Sequence, residues 1–581
     1  MRAAWPSLIL LASLLSGVAC DPGASEVGRV DGAASQSFAA AAIPESRAAG
    51  VIARVLEEGG NAADAAVAAH FALAVTYPVA GNIGGGGFAV LHVPGEGERA
   101  LDFRETAPGS AYPELFQDVQ GEVVPGLSLH SCLAAGVPGS VAGMWALHRE
   151  YGSEPWESLL QPAIDLAAEG YEVDVRMAET LADKRAEVDK LEARYRRVVD
   201  LDPHFPTRAG ETFRQPQLAE TLRRIAARGA SGFYEGHTAE LIVDEMQRGR
   251  GTMTREDLAG YEPVWREPVS GRFRGHRVVS MPPPSSGGIA LVQLLKMWET
   301  FEGPAFHSAD HLHLVAEIEK RVFADRARYL GDPEFYPVPL SELTSDAYLR
   351  ERAAGISPER RTRPGRISAG RLALESPETT HYSIVDEEGM AIAVTTTLNA
   401  AYGSGIVVDG AGFLLNNEMD DFSAKAGVPN LYGVTGGKAN EVDAGKRMLS
   451  SMSPTLVFDE EGDLSMALGS PGGPTIFTTV FQVIVNHVDY DMPIDEAIAA
   501  PRFHHQWPPR SGTEAPIRLE RLGEWPAEVT SRLEHMGYEL IEVERLGDVQ
   551  AVAIRDGRAV GHSDPRLVGR SVQVPFGDDD R

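Results

Sequence analysis

Apolar positions recur at helical spacing over residues 46–58, where the pattern stops at Gly59-Gly60, and a second helix is expected over 61–77, stopped by Pro78. The second is built almost entirely of Ala, Val, Phe and Leu, so it should be buried on most sides. A glycine-rich turn, GNIGGGGF at 81–88, leads into a short strand at 89–92. Residues 155–260 read as mostly helical, with charged amphipathic stretches at 175–201 and 216–228. Strand signals return at 269–281, PPPSSGG at 282–288 opens another helix, and a further helix runs from about 310 to 330. The pattern fails over 357–378, which holds five Arg between Arg360 and Arg371, three Pro and two Gly. With so little apolar periodicity it reads as an exposed linker. Beyond it, two-residue alternation marks strands at 381–386 and 390–398 around Glu387-Glu388-Gly389, and further hairpins turn at Glu460-Glu461-Gly462 and Asp556-Gly557. No repeat recurs at solenoid periods. Helices packed on sheets are the natural architecture.

Composition narrows the function more than the fold. The 581 residues allow three or four ordinary domains at roughly 150 each, and 43% apolar with 23% charged residues is ordinary globular usage. With 53 basic against 83 acidic residues the formal charge is -30, a field that repels nucleic acid and anionic membrane and favours a small-molecule or peptide ligand. Two cysteines, Cys20 and Cys132, are too few for a disulfide framework or a thiolate metal site. Residues 1–19 have the layout of a secretory signal: Arg2, an apolar run from Leu8 to Leu15, then Gly17, Val18 and Ala19. Cys20 follows directly, as in a bacterial lipoprotein whose cysteine is lipidated after cleavage, although Gly17 stands where an aliphatic residue is usual. Ordinary cleavage near Ala19 is the other reading. Either way the mature protein is expected to be exported, to the periplasm or to a membrane through its lipid. Cys132 reads as a structural cysteine.

Several motifs suggest chemistry only weakly. Gly84, Gly86 and Ala89 match a dinucleotide-binding spacing, but here the helix precedes and the strand follows, so a tight buried turn is the better account. His504 and His505 lack a ligand partner at helical spacing, and no G-x-S-x-G elbow occurs. The informative point is the end of the linker, where Glu378-Thr379-Thr380 passes straight into a strand. Cleavage before Thr379 would set a free α-amine beside its own Oγ1, and an amine titrating near ~7.7 to 8.0 can serve as the base. Thr397 and Asn399 stand two apart, on one face of the following strand by alternation. LLNNEMDDF at 414–422 adds Glu418 and Asp421, LSSMSPT at 449–455 adds Ser450 and Ser451, and GSPGGPT at 469–475 sets Gly472 and Gly473 ahead of an apolar helix. Amides at such a turn favour developing negative charge.

Taken in order, GNIGGGGF, DFRE, AGVPGS, MPPPSSGG, TTHYS, TLN, NNEMDDFS, SSMSPT, GSPGG and PRFHHQW closely resemble the γ-glutamyltransferase (γ-glutamyl transpeptidase) family of N-terminal-nucleophile hydrolases, from about residue 40 to 572. The resemblance implies an α+β fold, a four-layer αββα sandwich made as one intertwined unit from a large subunit, 20–378, and a small subunit, 379–581. It implies self-cleavage between Glu378 and Thr379, with Thr379 then the nucleophile and Thr397 assisting it. Gly472 and Gly473 would form the oxyanion hole. Arg104, with Ser450 and Ser451, would hold the α-carboxylate of a γ-glutamyl donor, and Asn399, Glu418 and Asp421 its α-ammonium. Tyr432 in PNLYG would belong to a lid. The expected partners are glutathione and other γ-glutamyl compounds, with water, amino acids or dipeptides as acceptors, and no metal or organic cofactor is needed. Glu418 stands where some bacterial members have Gln, and Pro474 where a small polar residue is common. An ordinary internal salt bridge is the alternative reading of Arg104 and Asp421, a cephalosporin or glutaryl acylase the alternative enzyme, and a non-catalytic binding lipoprotein the alternative class.

Overall fold

The computed structural model describes residues 38–199, 201–363, 366–367, 379–425, 428, 430–431, 437–506, 515–520 and 525–575. Within them, two antiparallel sheets lie face to face. We number their strands along the chain as β1 (Phe38–Ile43), β2 (Gly86–Val93), β3 (Gly97–Phe103), β4 (Val264–Arg266), β5 (Val269–Phe273), β6 (His276–Ser280), β7 (Thr380–Val385), β8 (Ala391–Thr397), β9 (Thr455–Phe458), β10 (Leu464–Gly469), β11 (Gln550–Arg555), β12 (Arg558–Ser563) and β13 (Arg570–Pro575). One sheet runs β13-β1-β7-β8-β2-β3-β4, the other β12-β11-β10-β9-β6-β5. Both are assembled from strands on either side of position 379, so neither half of the chain completes either large sheet by itself.

The layering follows from two-residue alternation. Ala40, Phe88, Val90, Ala100, Val385, Ala391 and Ala393 face inward and meet Val279, Leu456, Phe458, Ala467 and Val552 of the opposite sheet. Their neighbours Ala39, Ala41, Leu91, Leu101, Ile384, Ile392 and Val394 face outward into a core with α1 (Ser46–Glu57) and α2 (Ala62–Thr76). On the far side, Val278, Val457, Met466 and Leu468 pack against α3 (Gly287–Trp298), α4 (Ala309–Tyr329) and α5 (Thr475–Val488). The order is helix, sheet, sheet, helix, the αββα sandwich expected. As its composition required, every residue of α2 is buried, and a capping box between Asn61 and Asp64 sets its start.

Three stretches differ from expectation. The run 269–281 is a tight hairpin of two strands, turned at Arg274-Gly275 with both residues at positive φ. The helix expected over 175–201 stops at Asp189. In the supposed exposed linker, Thr362 is hydrogen-bonded to buried Glu317 and Ile367 is buried against Ala324. No helix of the described residues is long and apolar enough to cross a membrane. The signal segment 1–19, Cys20, Glu378 and Tyr432 lie outside the described residues.

Candidate active site

β7 and β8 pair so that Thr380 faces Thr396, and one step further along the same register sets Thr379 opposite Thr397. Both then share the inward parity of Val385, Ala391 and Ala393, which places them where the two sheets meet. Thr379 is buried at 8% exposure. The GNIGGGGF turn packs behind this point: Asn82 Nδ2 donates to the Thr397 carbonyl at 2.9 Å and to Thr396 Oγ1 at 3.1 Å. A β-carbon on Gly85 would run into the Thr397 carbonyl oxygen. The glycine run is therefore a close-packed support for β8, as the buried-turn reading held.

A narrow pocket opens here, lined by Thr379, Thr397, Asn399, Arg104, Glu418, Asp421, Ser450, Ser451 and Gly473, all singled out in the sequence, together with Arg326, Met452 and Ile476. Gly472 sits one residue behind this wall. Asn399 arrives differently from expectation. β8 ends at Thr397, and Asn399 lies in the loop beyond at φ 75°, a left-handed conformation that asparagine tolerates better than most residues. Its N–H donates to Thr397 Oγ1 at 2.7 Å and its Nδ2 to the Asn417 carbonyl at 2.9 Å. Gly472 and Gly473 have φ 134° and 54°, so both need glycine. Their carbonyls accept from Thr475 and Ile476 as α5 begins, while among the described residues neither of their own amides has a hydrogen-bond partner. Pro474 is the N-cap of α5, not its first helical residue.

Arg104 follows β3 directly and is fully buried. Its Nη1 pairs with Glu418, its Nη2 with Asp421 Oδ2 at 2.5 Å, and its Nε donates to the Met448 carbonyl at 3.3 Å. The internal salt bridge, the alternative reading of Arg104 and Asp421, is thus present. It also fills the pocket, which keeps only about 20 Å³ of free volume, room for about one water. A zwitterionic ligand would have to exchange this pair, its carboxylate taking Arg104 and its ammonium taking the acids. Burial works against the Arg104 charge, but Glu418, Asp421 and Glu105 outweigh it and raise its pKa above the usual value. Burial pushes Glu418 well up and Asp421 up, with Arg104 opposing both.

Two site residues escaped the sequence reading. Arg326, on α4, donates from Nε to Ser286 Oγ at 2.9 Å and from Nη2 to Ser451 Oγ at 3.0 Å, supplying a second cation to the pocket. Glu105, the last residue of DFRE, stands 3.6 Å behind Arg104 Nη1. Burial lifts its pKa to about 7, and among the described residues neither of its carboxylate oxygens has a hydrogen-bond partner. Ser285 and Ser286 bond to the carbonyls of Met452 and Ser450, so MPPPSSGG holds the SSMS loop in place. Asn430 Nδ2 reaches Asp421 Oδ1 at 3.1 Å, tying the segment that precedes Tyr432 to the pocket.

Other candidates fall away from the chemistry. His381, two residues past Thr379, engages Thr395 Oγ1 through Nδ1 at 2.8 Å and Ser383 Oγ through Nε2 at 3.0 Å, and burial drives its pKa to about 3. A neutral ring with both nitrogens occupied is not the base. His504 bonds Thr478 Oγ1 at 3.0 Å. Cys132 is buried, its thiol pushed up to about 12, which makes it unreactive. Among the described residues no group of three or more His, Cys, Asp or Glu is placed to hold a metal ion.

The family model described as Gamma-glutamyltranspeptidase matches residues 48–574. The chain is 47% identical to a glutathione hydrolase proenzyme of Pseudomonas aeruginosa over 93% of this chain and 95% of that one. It is 46% identical to a glutathione hydrolase proenzyme of Escherichia coli over 88% of each. The solved cephalosporin acylase of Bacillus halodurans superposes with a TM-score of 0.80 at 27% identity, covering 95% and 98% of the two chains. The chain belongs to the gamma-glutamyltranspeptidase family.

Proposed function

We propose that this protein is a γ-glutamyltransferase and glutathione hydrolase made as a proenzyme. Thr379 Oγ1 attacks the carbonyl carbon of Glu378, the peptide nitrogen leaves as the α-amine of Thr379, and water opens the resulting ester to free the Glu378 carboxylate. In turnover the same Oγ1 attacks the γ-carbonyl of glutathione or a similar donor while the α-amine takes its proton. The tetrahedral oxyanion is received by the Gly472 and Gly473 amides. The amine half departs with that proton, and water or an amino acid or dipeptide amine then takes the γ-glutamyl group from the ester. The observation that carries this reading is the meeting, in one pocket, of Thr379 with Arg104 and its partner acids Glu418 and Asp421, the charges a zwitterionic head requires.

The acylase reading rests on the likeness to the Bacillus halodurans enzyme. An acylase has less need of paired acids beside the arginine, since a glutaryl chain has no ammonium. Wild type and Thr379→Ala, compared on denaturing gels and with γ-glutamyl and glutaryl anilides, separate the two. Wild type should split into two chains and turn over the γ-glutamyl compound, and Thr379→Ala should do neither. Preference for the glutaryl compound would establish the acylase, and an unsplit wild type would remove the mechanism. We further propose export, with Cys20 as a lipid anchor; a Cys20→Ala protein that stays with membranes as wild type does would exclude the anchor.

A further inference from the structure

The peptide plane that joins Gly472 to Gly473 has glycine at both ends. Turning such a plane over meets little steric resistance, because neither residue carries a β-carbon. Its orientation matters, since a trans peptide holds its carbonyl and its N–H on opposite sides. One orientation turns the Gly473 N–H outward from α5; the flipped one turns the Gly472 carbonyl oxygen outward instead, and that oxygen would repel a developing oxyanion. The two glycines cannot decide between these states, so the choice falls to their neighbours. Thr475 makes it twice over. Its N–H donates to the Gly472 carbonyl at 3.0 Å, closing the turn into α5, and its Oγ1 donates to the same oxygen at 2.8 Å. Both lone pairs of that carbonyl are drawn toward α5. The Gly473 N–H therefore points the other way, on a residue that lines the pocket with Thr379. Two donors on one carbonyl also polarise the peptide and strengthen its N–H as a donor. Pro474, between the plane and Thr475, has neither an N–H nor a hydroxyl to contribute. Thr475 is itself fixed. It is buried, and its carbonyl accepts from Thr478 Oγ1 at 3.1 Å, while the same Oγ1 lies 3.0 Å from His504 Nδ1.

We infer that the Thr475 hydroxyl locks the Gly472-Gly473 peptide with its N–H toward the oxyanion, which makes Thr475 a positioning residue for acyl transfer. It acts through the Gly473 amide and not on the substrate. The inference rests on the proposed acyl transfer by Thr379 and names a further residue for it. Any residue but proline at 475 supplies the backbone N–H, whereas the hydroxyl belongs to few side chains, so substitution isolates the hydroxyl. Formation and hydrolysis of the γ-glutamyl ester both pass through an oxyanion, so the hydroxyl counts whichever step limits turnover.

The test compares wild type with Thr475→Val, Thr475→Ala and Thr475→Ser, each purified after maturation, by steady-state hydrolysis of a γ-glutamyl anilide and by melting temperature. Thr475→Val keeps the shape of the side chain and removes the donor. It should lower kcat and kcat/KM together by about three- to tenfold, the worth of one hydrogen bond, with KM near wild type, because the oxyanion exists only in the transition state. Thr475→Ala should fall by a similar factor. Thr475→Ser keeps the donor and should recover most of the wild-type rate. Wild-type kcat in Thr475→Val and Thr475→Ala would overturn the proposal, and so would a raised KM at unchanged kcat, or a Thr475→Ser rate as low as that of Thr475→Val. Variants that stay unsplit or melt well below wild type would assign the hydroxyl to folding and overturn it too. A wild type that does not turn over the γ-glutamyl anilide refutes the acyl-transfer reading itself, an outcome distinct from all of these.

Discussion

Arg104 faces three buried carboxylates, Glu105, Glu418 and Asp421, and with Arg326 nearby the pocket holds two cations against three acids. Removing Arg104 outright would strand those acids, at a cost of about 3 to 5 kcal/mol for a broken buried pair. Arg104→Ala is therefore a test of folding as much as of binding. Arg104→Lys keeps the charge and loses the two-pronged geometry. It should mature normally, raise KM for the donor about 10- to 100-fold, and change kcat much less; steady-state kinetics on the split protein check this, and an unchanged KM would remove Arg104 from the donor site. For the oxyanion hole, Gly472→Ala puts a side chain at φ 134° and against Thr475 Oγ1. Displacing one donor amide should lower kcat by about 10²- to 10³-fold. Every site residue proposed from motifs that falls among the described residues lines this pocket, save Gly472 just behind it. Arg326 was missed because it sits in EKRVFADRARY, where one more charge among many reads as a solvated helix face. Asn399 was found for the wrong reason: alternation cannot foresee a strand that ends at Thr397 and a left-handed residue beyond it.

At the scale of elements, periodicity located most helices and strands to within a residue or two, as with α1, α2 and β8, because apolar faces had to meet a core. It located α4 but gave no sign that His311, His313, Glu317, Glu319, Lys320, Arg321, Asp325 and Arg326 are all buried. Charge pairing within the protein replaces solvent there, and no spacing rule announces it. The described linker residues are mostly exposed, as read, but periodicity did not foresee that Thr362 bonds Glu317 and that Ile367 is buried against Ala324. The GNIGGGGF turn offers the sharper test of how elements support the site. Gly85→Ala forces a methyl against the Thr397 carbonyl, and overpacking of this kind costs about 1 to 3 kcal/mol. The strain falls on the end of β8, so the variant should melt at lower temperature and also mature slowly. A variant that melts lower yet splits at the wild-type rate would show that the turn supports the fold without tuning Thr397.

For the whole molecule, the balance of buried titratable groups sets how stability depends on pH. Burial raises Glu105, Asp420 and Asp548 to about 7 and pushes Glu418 well up. Below these values the folded protein holds protons that the unfolded chain, with carboxylates near ~4, has already released, so stability grows as pH falls through 7. Buried histidines act in the opposite sense. His70 is lowered to about 4, His311 and His381 to about 3, and His504 well below its usual value, each chiefly by burial. Between the unfolded value near ~6.5 and these folded values the unfolded chain binds more protons, so stability is lost as pH falls through 6 toward 4. From about pH 5 to 6 the two sets, four groups each, largely cancel, and above that window the raised carboxylates prevail, so stability should reach its maximum near about pH 5 to 6 and fall as pH rises beyond it. The net charge of -30 adds self-repulsion that grows toward alkaline pH and steepens that side. Glu98 and Asp564 are held below the usual carboxylate range by arginines, so they enter only at lower pH and leave the maximum in place. Melting temperatures measured from pH 5 to 8.5 at constant ionic strength should pass through this maximum. Glu105→Gln, which removes one raised carboxylate acting between about pH 4 and 7, should flatten the fall on the alkaline side and move the maximum to higher pH. A curve that rises steadily to pH 8.5 would mean that the pocket acids are ionised in the folded protein and that Arg104 and Arg326 neutralise them more completely than their burial allows.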